Sequence, residues 1–365
     1  MNEHTLCHIG FSHFYGIGPV KFAALKNRFE SVKHAYYATT HELETVLGSL
    51  WAKRFVDFRN HIDLNKKWEE FNKKKITVLT IDDEFYPTSL KNISDAPICI
   101  YVKGNIKTVD LREGKLFGIV GTRRPTSYGC QIAHTFSSEL ADAGFVIVSG
   151  LAIGVDTIAH KAALHAGSKT IAVLGCGVDI IYPQSNSFLY EKIVDNGGLV
   201  MSEFPPGLMV KRGLFIARNR IISGLSMGVL VVEGTKDSGA LITARFAAQQ
   251  GREVFAPPVP LTSIMSEAPN ILLKQGAIFV TQTEDILDEF GIKKWKKNEA
   301  IISTLSPSEK IVVEILSLEP KSVDELLLEI KTPISHLSYT LSILEMEGII
   351  KKDAQSKYQL ASMGK

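Results

Sequence analysis

Between residues 115 and 245 the chain repeats one alternation four times: an unbroken apolar run, a small glycine-bearing polar turn, then a helical pattern. The runs are LFGIV (116–120), FVIV (145–148), TIAVL (170–174) and VLVV (229–232). Rich in Val, Ile and Leu and lacking period-two alternation, they predict strands covered on both faces, as in a parallel sheet. The turns read Gly121-Thr122-Arg123-Arg124, Ser149-Gly150-Leu151-Ala152, Gly175-Cys176-Gly177 and, from Glu233 to Ala244, EGTKDSGALITA. Crossovers of one hand between parallel neighbours place these turns along one sheet edge, where open α/β sheets bind ligands.

Glycine, hydroxyls, helix starts and the adjacent Arg123 and Arg124 point to an anionic ligand, because a helix N-terminus offers unpaired N–H groups and partial positive charge. Neither usual nucleotide fingerprint is present. No Gly-Lys-Ser/Thr closes a phosphate loop, and no GxGxxG opens the first helix.

The flanks have other periods. Residues 1 to about 70 predict short helices at 20–28, 31–37, 41–47 and 51–60, then a charged helix ending at Lys73-Lys74-Lys75. Gly16-Ile17-Gly18-Pro19 separates the first two apolar patches; it reads either as a hairpin whose N–H groups approach a phosphate or as a plain tight turn. Residues 76–104 predict an extra strand pair attached to the main sheet. Within them Asp82-Asp83-Glu84 lacks a neighbouring histidine and reads as a solvated loop, not a metal site. Strands at 254–256 and 277–280 and helices at 270–275 and 284–290 complete the α/β part.

A basic stretch, GIKKWKKNEA, follows; Trp295 and its lysines could clamp a nucleic-acid strand, but a solvated linker is the reading preferred. The end predicts three helices and two strands joined by a polar turn, a winged-helix pattern. Its third helix, SHLSYTLSILEMEG, is not basic, which favours protein contact over duplex reading.

With 365 residues, 45% hydrophobic, the chain can bury a large core in two or three domains. A net charge of +2 means that any polyanion must be met by a local patch. Cys7, Cys99, Cys130 and Cys176 form no CxxC pair, as expected of reduced thiols in a cytoplasmic, membrane-free protein. Cys176 reads as a small buried filler. Asp156 and His160 share a helix face without a third ligand, so Asp156 is expected to cap its helix and no metal or cofactor is expected.

Six ordered blocks, GIVGTRRPTSYG, SGLAIGVDTIAHKAAL, GSKTIAVLGCGVDIIYPQSN, GLVMSEFPPG, LFIARNRIISGLS and VVEGTKDSGALITARFAAQQGREVFAPP, resemble the DprA/Smf family of DNA-processing proteins of bacterial transformation. The flanking modules are similar too. The resemblance implies an α/β protein with an extended Rossmann-like parallel-sheet core at 76–290. An N-terminal helical (SAM/helix-hairpin-helix-like) domain would span 1–75, a linker 291–307 and a C-terminal winged-helix domain 308–361. Departures from the family pattern stand at Gln184, Ile216, Val259 and Ala268.

The function the resemblance implies is binding of single-stranded DNA, homodimerisation, loading of RecA recombinase and displacement of single-strand-binding protein, with no catalysis. Carried over by position, the DNA-binding residues are Gly121, Thr122 and Arg123 in the first turn and Ser149 and Gly150 in the second. Arg212, Phe215, Arg218, Asn219 and Arg220 come from the LFIARNR block, and Ser238, Gly239 and Thr243 from the last turn. Arginine suits the task because its fork meets phosphate oxygens and its plane stacks on bases. Two alternatives remain. Arg218 and Arg220 could instead pair with Glu203 and Glu233, or those glutamates could serve as acid or base in an N-glycosidic cleavage like that of Rossmann-like phosphoribohydrolases.

Overall fold

All four central runs are neighbouring strands of one nine-stranded sheet in the computed structural model of the chain, which describes residues 3–292, 305–318, 320–330, 332–346, 349–352 and 357–360. The strands are β1 (Thr77–Thr80), β2 (Cys99–Lys103), β3 (Leu116–Val120), β4 (Val146–Ser149), β5 (Thr170–Val173), β6 (Leu199–Ser202), β7 (Gly228–Val231), β8 (Glu253–Ala256) and β9 (Ile278–Phe279). Their spatial order is β1-β2-β6-β5-β4-β3-β7-β8-β9. From β6 to β9 every pairing is parallel, whereas β1 and β2 add antiparallel to the β6 edge. Strands β3, β4, β5 and β7 are buried at nearly every position, which is why their sequences show no alternation.

Chain direction reverses at the middle. From β3 the chain steps outward through β4, β5 and β6, then returns to place β7 on the other side of β3. This is the topological switch point of a doubly wound sheet, and it opens a crevice beyond the carboxyl ends of β3 and β7.

Six helices precede β1 among the described residues: α1 (Glu3–His13), α2 (Pro19–Arg28), α3 (Val32–Tyr37), α4 (Thr40–Leu47), α5 (Ser49–His61) and α6 (Leu64–Lys73). Local signals fix several ends. Thr39 and Glu42 form a capping box on α4, and Asp63 accepts from the Lys66 N–H at 2.9 Å on α6. An aromatic core holds the layer, with Phe11 stacked on Phe55 at 5.0 Å and edge-on to Tyr36 at 5.3 Å. Helix α1 has no counterpart in the sequence prediction, because Cys7 to Phe11 are buried consecutively and leave no amphipathic stripe to detect. At the Gly-Ile-Gly turn the Trp51 ring lies directly over Gly16, and Lys21 Nζ donates to the Gly16 carbonyl at 3.1 Å. These contacts are those of a tightly packed turn.

The remaining helices of this unit are α7 (Thr88–Lys91), α8 (Ser127–Asp142), α9 (Val155–His165), α10 (Ser187–Asp195), α11 (Arg212–Leu225), α12 (Gly239–Gln249), α13 (Glu267–Lys274) and α14 (Thr283–Glu289). They cover the sheet over a core that includes Val148, Val173, Ile221, Val231 and Ala244. Residues Met1–Gly291 form one compact unit and Ile292–Lys365 another. In the second, helices Pro307–Leu318, Val323–Ile330 and Ile334–Met346 enclose Val312, Leu326, Leu341 and Leu344, and strands Ile350–Lys352 and Tyr358–Leu360 pair antiparallel. Trp295 and its flanking lysines lie outside the described residues. Among the described residues no helix is long and apolar enough to cross a membrane.

Candidate functional site

At the switch point the backbone of the first turn is tied to the last. The Thr122 N–H donates to the Glu233 carbonyl at 2.8 Å, and the Val232 N–H to the Val120 carbonyl at 3.0 Å. Between these turns, α11 and the start of α12 lies a cavity of about 700 Å³. It is lined by Gly121, Thr122 and Arg123, by Arg212, Phe215, Arg218 and Asn219, and by Ser238, Gly239 and Thr243. Ten of the thirteen residues carried over from the sequence therefore meet in one place.

Helical spacing explains the α11 contribution. Arg212, Phe215, Ile216 and Asn219 fall at i, i+3, i+4 and i+7 and line the cavity as one face. Phe215 packs on the Gly175 backbone, so the third glycine turn serves as a floor beneath a ring. Tyr182 lies 5.4 Å from Phe215, and the Arg123 guanidinium sits 5.9 Å from the same ring's centroid. Together they make a partly exposed aromatic shelf with a cation at its rim.

The α12 end supplies the helix-terminus component. Ser238 is the N-cap and accepts from the Ala240 N–H at 3.2 Å, while Asn219 Nδ2 donates to the Gly239 carbonyl at 3.2 Å and joins α11 to this turn. The macrodipole of α12 points its positive end into the cavity.

Arg218 lies deeper. Its Nη1 donates to the Gly150 carbonyl at 2.7 Å and also to the Val173 carbonyl, joining the ends of β4 and β5. Asp156 accepts from the Gly150 and Ala152 N–H groups at 3.1 and 3.3 Å. Burial pushes the Asp156 carboxyl up while Arg218 opposes that shift; burial also lowers Arg218, with Asp156 opposing. The second turn thus acts through Arg218: Gly150 touches it, and the Ser149 hydroxyl is turned inward, donating to the Ile119 carbonyl at 2.6 Å.

Arg220, like Ser149, does not line the cavity. It faces away from the cavity, is buried, and pairs through Nε with Asp95 at 2.9 Å and through Nη2 with Glu203 at 2.5 Å. Of the alternatives for the two arginines, pairing with Glu203 holds for Arg220 and not for Arg218. Glu233 is occupied elsewhere, accepting from the Thr126 N–H at 2.9 Å and the Thr126 hydroxyl at 2.6 Å at the start of α8. Neither glutamate lines the cavity.

Sequence reasoning missed Tyr182 and Asp237, which line the cavity, and Asp95, which pairs with Arg220. Tyr182 follows an apolar stretch with no period to mark it, and Asp95 finds Arg220 only through the tertiary fold. Cys176 is a buried filler whose thiol burial pushes up to about 11. His160 bonds Thr170 Oγ1 through Nδ1 at 2.7 Å and Asp156 serves the preceding turn, so the two do not form a ligand pair.

Residues 77–291 match the family described as DNA recombination-mediator protein A, and residues 296–354 match the DprA winged helix domain. The chain is 33% identical over 393 residues to Protein Smf of Synechocystis sp., covering 96% of this chain and 97% of that one. Against DNA processing protein DprA of Bacillus subtilis it is 42% identical over 219 residues, 60% of this chain and 73% of the relative. Among solved structures, DprA of Streptococcus pneumoniae superposes with a TM-score of 0.68 at 32% identity, covering 80% of this chain and 99% of that one. DNA processing protein A of Helicobacter pylori, whose structure addresses its single-stranded DNA binding mode, gives 0.53 at 33% identity over 59% of this chain and 95% of that one.

Proposed function

The chain belongs to the DprA/Smf family, and from that premise we propose that it binds single-stranded DNA in the switch-point crevice. One observation carries the reading: Arg123, Arg212 and Arg218, the positive end of α12 and the Phe215–Tyr182 shelf line one open cavity. Phosphates would be met by guanidinium forks and the helix terminus, and a base would stack on the shelf, a combination tolerant of sequence. Gly121, Thr122, Ser238, Gly239 and Thr243 would let the strand approach the backbone closely. Arg220 is assigned a structural role.

The proposed cellular task is DNA processing in transformation, with a cytoplasmic homodimer loading RecA recombinase while single-strand-binding protein is displaced. The third helix of the winged-helix unit carries no Lys or Arg and exposes Ile334, Tyr339 and Met346, which supports protein contact there over duplex reading. N-glycosidic cleavage by Glu203 or Glu233 would need that carboxyl group poised in the crevice. Glu233 is enclosed by Thr126 and Glu203 by Arg220, so neither supports that reading, and a binding platform without turnover is proposed. Titrating labelled single-stranded and duplex oligonucleotides at several salt concentrations tests it. Tighter, salt-sensitive binding of single strands is expected; a preference for duplex, or release of free base, overturns it.

A further inference from the structure

The loop read from sequence as solvated for want of a histidine finds two of them in the fold. Asp82, in the turn after β1, faces His4 and His8, which sit at i and i+4 on one face of α1. Asp82 Oδ2 lies 3.2 Å from His8 Nε2 and 3.8 Å from His4 Nε2. The donor atoms of all three groups fall within 4.8 Å of one another. We propose that His4, His8 and Asp82 form a zinc-type divalent metal site that ties α1 to the sheet edge, against the expectation of no metal site.

The orientation of His8 carries the argument. Its Nδ1 lies 2.8 Å from the His4 carbonyl, an acceptor only, so Nδ1 bears a proton and Nε2 is the nitrogen turned toward Asp82. That nitrogen is buried and faces a carboxylate oxygen. A ring nitrogen and a carboxylate oxygen at this distance share a cation, either a proton or a metal ion in its place. Tetrahedral zinc with ligands near 2.0–2.1 Å separates its donor atoms by about 3.4 Å, between the two distances seen here.

The surroundings fit the same ion. A carbonyl holding the far nitrogen of a ligating histidine is the usual outer support for such a ligand. Lys26 Nζ holds the other carboxylate oxygen, Oδ1, which orients Asp82 and leaves Oδ2 for the metal. The His4 side is partly open, giving room for water as a fourth ligand. Two imidazoles and one carboxylate suit zinc or cobalt(II) over magnesium or calcium, which prefer oxygen alone.

The test is calorimetric titration of the tag-free full chain with zinc sulfate, with cobalt(II) absorption as a second probe. Wild type should bind a single zinc, show tetrahedral cobalt bands and unfold at higher temperature with zinc. Buried His8 is left untouched so that folding is preserved. His4→Gln and Asp82→Asn should each weaken zinc more than ~10-fold and abolish the thermal shift. No zinc binding by wild type, or equal binding by both variants, overturns the site.

Discussion

Arg218 donates to the Gly150 carbonyl at 2.7 Å, and any side chain on Gly150 would set its Cβ 2.5 Å from that guanidinium. The two residues are therefore one device: the absent side chain is the space in which the arginine reaches two strand ends. Gly150→Ala should displace Arg218, cost about 1–3 kcal/mol as overpacking does, and weaken single-strand binding. Because Arg218→Met removes the same arrangement, the double variant should fall short of the sum of the singles in denaturant titrations. Additive effects would show that the two residues act separately.

Arg123 is exposed at the crevice rim. Arg123→Ala should leave folding unchanged and weaken binding to oligo-dT roughly 10-fold, as removal of a charge-assisted hydrogen bond does. The salt slope should become shallower by about 0.7 for each phosphate no longer neutralised. Fluorescence anisotropy at several salt concentrations reads both; an unchanged slope places the phosphate elsewhere.

Arg220 makes the opposite prediction although it is only two residues from Arg218. Arg220→Ala leaves the half-buried Glu203 without its partner, a loss of up to about 3–5 kcal/mol, the range for a broken buried pair. The protein that remains folded should bind single strands near the wild-type level. A selective loss of DNA binding with stability intact would instead put Arg220 in the interface.

How far the sequence disclosed this site depends on which interactions are local. The turns at Gly121 and Ser238 were legible because a glycine-bearing turn between an apolar run and a helix is written in consecutive residues. Arg212, Phe215 and Asn219 could be placed on one face from helical period alone. What separates Arg218 from Arg220 was not legible, since it depends on Gly150 and Val173 on one side and on Asp95 and Glu203 on the other, all distant in sequence. Helix α1 escaped detection for a related reason: burial on all sides erases amphipathic period, and with α1 went the two histidines facing Asp82.

Acid should destabilise the protein through His8, His13 and His160, whose charged forms burial disfavours. Burial pushes His160 from 6.5 down to about 3 and His13 from 6.5 down to about 4. The unfolded chain therefore binds protons below about 6.5 that the folded chain refuses, so stability is complete above that pH and falls as pH drops toward 3–4. For His160 alone the loss at pH 5 relative to pH 7 is about 2 kcal/mol. Urea unfolding across this range should show the decline, and His160→Phe should flatten it; an identical slope in the variant would assign the effect to other groups.

The proposed homodimer can be assigned to a narrow surface within the late α/β segment, residues 261–290. Leu272, Ala268 and Pro269 of α13 are buried against the sheet, so part of that segment's apolar content is simply core. What remains outside is Leu261 at 88% exposure, Ile264 at 65% and Phe279 at 55%, the last on edge strand β9. Large apolar groups near an open sheet edge favour burial against a second copy. Leu261→Glu combined with Ile264→Glu should give monomers by sedimentation that still bind short single strands, because neither residue lines the crevice. RecA assembly on longer strands should slow in the same variant if the two functions share this neighbourhood. Wild-type protein that sediments as a monomer throughout the micromolar range would remove the dimer, and with it the reason for these exposed side chains.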